Sequence, residues 1–306
     1  MLQIRDLVKI YPGPVPALRG IDLDVPTGLF GLLGPNGTGK STLMRILAGL
    51  LLPTAGSVHL DGDDIVAHPE RLWPRLGYLP QDFGLYPHLS GEAMLRHLLD
   101  LKGVDAPGGR RGLARTLLAE VNLAHAAKRP VRDYSGGMRQ RLGIAQALAG
   151  DPRLVIVDEP TVGLDPDERL RLYRLLANRA DERTVLLSTH IVDDVAMLCP
   201  RFAVLRRGRL LDVTTPQTAI AAIDGAIYEG TVDDDALDDL RGRYRVTQSL
   251  LVAGRHHLRV HVPDGAPPDG FAPAAPSLED AYLLRMREAE AAERADGDAG
   301  TIQDAA

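Results

Sequence analysis

The stretch Gly34-Pro-Asn-Gly-Thr-Gly-Lys40-Ser41-Thr42 stands between two apolar runs, Leu29-Phe-Gly-Leu-Leu33 before it and Leu43-Met-Arg-Ile-Leu47 after it. A strand, a glycine-rich turn and a helix start are written consecutively, the arrangement that cradles phosphate. Gly34, Gly37 and Gly39 permit backbone angles closed to other residues, so successive N–H groups can converge on anionic oxygens. Pro35, Asn36 and Thr38 complete the turn, and Thr42 carries it into the helix. Lys40 supplies a compensating positive charge, and Ser41 offers a hydroxyl to a Mg²⁺ ion bridging the outer phosphates.

Outward from this turn, 306 residues suit one large domain with an appendage. The 35 basic residues are outnumbered by 41 acidic ones, giving a net charge of −6. No dense basic block is present to neutralise a nucleic-acid backbone, so no nucleic-acid partner is expected. The single cysteine, Cys199, lies in the apolar run Val195-Ala-Met-Leu-Cys199 and reads as a buried core thiol. The first residues lack a basic start followed by an apolar core, and no segment reaches the roughly 20 apolar residues needed to cross a bilayer. A cytoplasmic chain that cannot span a membrane by itself is the expectation.

Short β-prone runs at residues 2–4, 21–25, 29–33, 57–60 and 77–80 surround a first helix at residues 41–49. Between residues 91 and 129 the pattern turns helical, with Met94, Leu95, Leu98, Leu99 and Leu101, then Leu113, Leu117, Leu118 and Val121, at helix-face spacing. A helix at residues 138–149, an apolar strand at 154–157, a helix at 167–179 and a strand at 184–188 follow. Continuous apolar strands alternating with helices imply a parallel sheet covered on both faces. Beyond residue 215 the texture is that of a small α+β appendix. There Ser277-Leu-Glu-Asp280 places a serine cap with an acidic residue three positions on, and a helix is expected from it to about Glu290. Residues 291–306 are Ala/Asp/Glu-rich without periodicity and read as disordered.

Two further segments carry chemistry. Leu154-Val-Ile-Val-Asp158-Glu159 ends a buried strand in adjacent carboxylates, at the sheet edge where ligands bind. Neighbouring side chains at a strand end diverge, so Asp158 can serve the metal while Glu159 faces the reacting phosphate and polarises water. Tyr134-Ser135-Gly136-Gly137-Met138 puts a serine and two glycines at a helix start, a second anion site. One nucleotide does not need both, from which we infer two copies paired head-to-tail, each covering the other's nucleotide.

The phosphate loop, Gln81, Ser135-Gly-Gly137, Asp158-Glu159, Gly163-Leu-Asp165 and His190 occur in the order found in ATP-binding-cassette proteins, and residues 2–213 resemble a transporter's nucleotide-binding subunit. The resemblance implies an α/β P-loop ATPase core with an antiparallel β subdomain, in all residues 1–215. It also implies an inserted helical subdomain at about residues 84–150 and a small C-terminal extension at 216–290. By the same resemblance, Tyr11 stacks on adenine, and Gln81 touches Mg²⁺ and senses the γ-phosphate. Asp165 communicates across the dimer, and His190 contacts the γ-phosphate. Tyr134 and Met138 depart from the usual leucine and glutamine of the second loop. The forms Ser-Gly-Gly-Met-Arg-Gln-Arg141, Thr161-Val-Gly-Leu-Asp-Pro166 and Ser277-Leu-Glu-Asp-Ala-Tyr-Leu283 are similar to the ABC-2 type exporter branch, whose membrane partner is a separate six-helix protein.

What the resemblance implies is an ATPase that closes around two MgATP and drives a permease from the inner face of the membrane. The apolar segment around Phe83, Leu85 and Tyr86 would receive a cytoplasmic helix of that permease, or else tuck into the protein's own core. The alternative is a soluble cassette ATPase of repair or translation. Such proteins usually carry two cassettes or a long coiled-coil insertion, and neither is visible here. A nucleotide-binding regulator without hydrolysis is opposed by the intact Glu159 and His190.

Overall fold

The computed structural model describes residues 1–104 and 106–303, with side chains to residue 295. It divides into two compact units, Met1–Val213 and Thr214–Ala306.

The first unit opens with β1 (Leu2–Tyr11), β2 (Val15–Val25), β3 (Gly28–Leu33), α1 (Lys40–Leu47), β4 (Ala55–Leu60), β5 (Asp63–Asp64), α2 (Pro69–Leu72) and β6 (Leu76–Leu79). A helical stretch follows, with α3 (Gly91–Leu101), α4 (Gly109–Glu120) and α5 (Gly136–Ala147). The chain then alternates through β7 (Leu154–Asp158), α6 (Pro166–Asn178), β8 (Thr184–Thr189), α7 (Val192–Leu198), β9 (Arg201–Arg206) and β10 (Arg209–Thr214).

Two sheets result, an antiparallel one in the order β2-β1-β4-β5 and a larger one in the order β10-β9-β3-β8-β7-β6. In the larger sheet β9, β3, β8, β7 and β6 run parallel, as their continuous apolar sequences require. One core joins the layers, drawing Ile4, Leu18 and Ile21 from the antiparallel sheet, Leu43, Met44 and Leu47 from α1, and Phe30, Ile156 and Leu186 from the parallel one. Each such side chain, fully withdrawn from water, stabilises the fold by roughly 1.5–3 kcal/mol.

Register places the site. Leu33 pairs with Thr189, Asp158 with Ser188, and Leu79 with Val157. The carboxyl ends of β3, β8, β7 and β6 therefore lie level along one edge. The phosphate loop follows β3, His190 follows β8, Glu159 follows β7 and Gln81 follows β6, so four distant segments arrive together.

The second unit contains α8 (Pro216–Ala221), β11 (Ile227–Val232), α9 (Asp234–Arg243), β12 (Arg245–Val252), β13 (Arg255–His261), β14 (Ala272–Pro273) and α10 (Leu278–Gln303). Its strands form an antiparallel sheet in the order β12-β13-β11-β14. Ser277 starts α10 with a reciprocal capping box: its hydroxyl accepts from Asp280 N at 3.1 Å, and Asp280 Oδ2 accepts from Ser277 N at 2.9 Å. Asp280 is fully buried and also receives Arg259, Thr247 and the Ser277 hydroxyl. Burial pushes its pKa up, and these hydrogen bonds outweigh burial and hold it below the usual carboxylate value.

The helix does not stop near Glu290. The run Arg287-Glu-Ala-Glu-Ala-Ala-Glu-Arg294 consists of strong helix formers, and Arg294 donates to Glu290 one turn back at 2.7 Å. Lack of an apolar stripe had suggested a disordered tail, but propensity and intrahelical pairing favour helix; residues 304–306 lie outside the described residues.

Candidate nucleotide site

The loop between β3 and α1 is shaped by close backbone approach. Gly39 has φ 104° and caps α1; a Cβ there would stand 2.5 Å from the carbonyl oxygen of Ala17, so β2 passes directly over the loop. A Cβ at Gly34 would lie 2.3 Å from Leu205 O. Both contacts exclude a side chain and leave the N–H groups of the α1 start facing outward. Thr38 braces the turn, its hydroxyl donating to Pro35 O at 2.9 Å.

Lys40 is buried, and its Nζ folds back to donate to Gly34 O at 2.6 Å and Pro35 O at 3.0 Å. Burial lowers its pKa, opposed by the nearby charges of Glu159 and Asp158. Glu159 Oε1 lies 3.8 Å from Nζ.

Glu159 is the meeting point. It is buried, sits at φ 51°, a conformation costly for a residue with a side chain, and donates its N–H to Ser188 O at 2.9 Å. Gln81 Nε2 donates to its Oε2 at 3.2 Å, and His190 Nδ1 lies 3.1 Å from its Oε1. The left-handed turn aims the carboxylate back across the sheet edge toward Lys40.

Asp158, one residue earlier, points elsewhere. It is 2% exposed, and its Oδ1 is buried with no hydrogen-bond partner. Burial raises its pKa, opposed by the hydroxyls of Ser188 and Ser41, with the charge of Glu159 adding to the rise. A buried acceptor without a donor, beside the Ser41 hydroxyl, suits a hard cation with oxygen ligands.

A cleft of about 270 Å³ lies over these groups, lined by Asn36, Gly37, Gly39, Lys40, Ser41, Thr42, Gln81 and Glu159, with Ala17 added by β2. Ala17 carries no signal in the sequence; its role is to place a strand over the loop. Tyr11 stands at the border, its hydroxyl 3.3 Å from Thr42 Oγ1 and its ring 5.4 Å from Lys9 Nζ.

Ser135, Gly136, Gly137 and Asp165 are not part of that lining. Ser135 caps α5, accepting from Met138 N at 3.2 Å, and Asp165 caps α6, accepting from Glu168 N at 2.9 Å. The two loops touch: a Cβ on Gly137 would be 3.3 Å from Leu164. Ser135, Gly136 and Asp165 are all exposed.

Tyr134 acquires a structural reason. It is buried, its hydroxyl donates to Ala126 O at 2.8 Å, and the room for that hydroxyl comes from Gly91, where a Cβ would stand 2.0 Å from it. Phe83 is half-buried against Gly143 of α5, and Leu85 is half-buried as well, which leaves Tyr86 as the member of that apolar segment facing solvent.

The family described as ABC transporter matches residues 18–162. The chain is 39% identical over 245 residues to the Nod factor export ATP-binding protein I of Cupriavidus pinatubonensis, covering 79% of this chain and 74% of that protein. To ABC transporter A family member 3 of Arabidopsis thaliana it is 37% identical over 222 residues, covering 69% of this chain and 23% of that one. The chain thus spans under a quarter of that plant relative's length. Among solved structures, the ATP-binding cassette MJ0796 in a dimeric post-hydrolysis state bound to ADP and Pi matches with a TM-score of 0.64 at 28% identity, over 70% of this chain and 98% of that one. The chain belongs to the ABC transporter family and has the ABC ATPase fold. No described helix is long and apolar enough to cross a membrane.

Proposed function

We propose that this chain hydrolyses MgATP as the motor of an export transporter, working in pairs on a separate membrane subunit at the inner face of the membrane. The observation that carries the reading is Glu159, buried and strained at the end of β7, gripped by Gln81 and His190 and facing Lys40. Export is supported by the name of the bacterial relative, and pairing by the dimeric state of the solved cassette.

In this reading the loop N–H groups and Lys40 hold the outer phosphates, Lys40 Nζ exchanging the carbonyls of Gly34 and Pro35 for phosphate oxygens. Asp158, Ser41 and Gln81 would hold Mg²⁺, which when bound neutralises charge developing on the transferred phosphoryl group. Glu159 accepts a hydrogen bond from the attacking water and orients it, while His190 at Oε1 and Gln81 at Oε2 fix the carboxylate. Tyr11 lies against the base. Ser135, Gly136 and Gly137, supplied by a second copy, present a helix start to the same phosphates, and Asp165 lies at the seam. Tyr86, with Phe83 and Leu85 behind it, meets the membrane subunit.

The test is Glu159→Gln. The variant should bind ATP, lose turnover by ~100-fold or more, and double in mass by light scattering with MgATP while staying monomeric with ADP. Undiminished turnover, or a strictly monomeric MgATP form, would refute the reading.

A further inference from the structure

Outside the cleft, one cluster of side chains is organised around Asp194 on α7, which is 0% exposed. Its Oδ2 accepts from Thr161 Oγ1 at 2.6 Å and from Thr189 Oγ1 at 2.9 Å. Its Oδ1 accepts from Arg169, paired with it at 2.5 Å, and from the Tyr173 hydroxyl. Arg169 also donates to Tyr173 Oη at 3.2 Å. Burial, then the bond to Asp194, pushes the Tyr173 phenol up to about 12, which keeps it a donor.

Four donors from three segments therefore share one carboxylate. Thr161 belongs to the loop that leaves Glu159, Arg169 and Tyr173 to the helix that Asp165 starts, and Thr189 to the end of β8. The Thr189 hydroxyl has a second bond, accepting from Ile191 N at 3.0 Å. Residues on both sides of His190 are thus fixed by one hydroxyl, and Asp194 holds that hydroxyl. On the other side, Leu164 N donates to Thr161 O at 3.2 Å, so the anchor also sets the loop that touches Gly137.

A buried acid with one arginine is a poor way to gain stability, because apolar side chains of the same volume do as well or better. What this one does, which apolar packing would not, is fix the backbone of His190 relative to that of Glu159 through directional bonds. We propose that Asp194 is a positioning residue: through Thr189 and Thr161 it holds His190 against Glu159 and couples that contact to the loop carrying Asp165. The inference rests on the functional reading above. None of the cluster lines the cleft, so nucleotide affinity should be independent of it.

Thr189→Val tests this with the least disturbance, since it keeps the shape and leaves Asp194 its other three donors; Asp194→Asn is the stronger companion. In purified full-length protein, Thr189→Val should lower kcat by ~10–100-fold, the scale of a small misplacement of reacting groups, with KM for MgATP and ATP affinity within about threefold of wild type. In ¹⁵N-histidine-labelled protein, the His190 resonance, assigned by its loss in His190→Gln, should lose the carboxylate-bonded Nδ1–H signature in both variants while the melting transition of Thr189→Val remains cooperative. Retention of that signature together with wild-type kcat would overturn the positioning role. Should the wild type itself fail to hydrolyse MgATP, the functional reading falls, and the resonance still decides whether Asp194 places His190.

Discussion

In the proposed reading Asp158 makes the site costly to fold and is needed to hold the metal, and the two effects can be separated by Asp158→Asn. This carboxylate is 2% exposed, has an oxygen with no partner, and has its pKa raised mainly by burial. An aspartate whose folded pKa lies above its unfolded value destabilises the fold once pH exceeds the unfolded value near 3.9, and the penalty grows until pH passes the folded value. Removing the charge should therefore stabilise the protein at pH 7 and have no such effect near pH 4. Against the gain stands an amide that also lacks a partner, which costs about 1–3 kcal/mol if unmet, and the loss of one of the two charges that compensate Lys40. The expectation is a melting temperature above that of wild type at pH 7, with the difference shrinking toward pH 4.

With MgATP the order should reverse. Wild type at 100 times its dissociation constant gains about 2.7 kcal/mol. The variant, lacking the anionic ligand, should keep the smaller gain that ATP gives both proteins in EDTA. Differential scanning fluorimetry at pH 7 and pH 4, with no nucleotide, with ATP and EDTA, and with MgATP, covers every case. A variant that melts below wild type without nucleotide at pH 7, or that is stabilised by MgATP as much as wild type, would refute the account of Asp158 as an unsatisfied metal ligand.

Gly91 and Tyr134 should behave as one unit. Gly91→Ala forces a Cβ to 2.0 Å from the Tyr134 hydroxyl and should cost about 1–3 kcal/mol in urea unfolding; in a Tyr134→Leu background most of that cost should vanish, and an equal cost in both backgrounds would disprove the fit. Lys102 Nζ donates to Ala149 O at 2.6 Å, and burial lowers its pKa to about 8. Between that value and the unfolded value near 10.4 the unfolded chain binds more protons, so stability should rise with pH across this window relative to Lys102→Met. The rise should be about 1–2 kcal/mol after allowance for the part left in water, and a constant difference between pH 7 and 10 would contradict it.

The parts of the fold and of the site legible in the sequence are those whose chemistry is contiguous. The loop at residues 34–42, the pair Asp158-Glu159 and the box Ser277–Asp280 each place their partners within a few residues, so spacing alone specifies geometry. The hairpin of β1 and β2 was less visible: register shifts between Ile4 and Leu7, Leu7 and Val8, and Lys9 and Ile10 break the period-two alternation by which a strand is recognised. Its consequence, Ala17 over the phosphate loop, was hidden with it. The Asp194 cluster leaves no local trace, because its donors at Thr161, Arg169, Tyr173 and Thr189 meet through tertiary structure, and an acid in a helix's first turn ordinarily reads as a response to the helix dipole.

The charge arrangement supports the proposed pairing of two copies. Lys40 sits on its own loop carbonyls, Glu159 is held by Gln81 and His190, and Asp158 Oδ1 has no donor. In the proposed reading, binding exchanges some of these bonds for bonds to phosphate. A second set of donors exists at the start of α5, where the first N–H groups of a helix lack intrahelical partners and Ser135 meets one of them. Those donors lie beside Leu164, outside the lining of the cleft. The two sets are thus divided between two surfaces of the same chain, which is the arrangement the proposed head-to-tail pair would bring together.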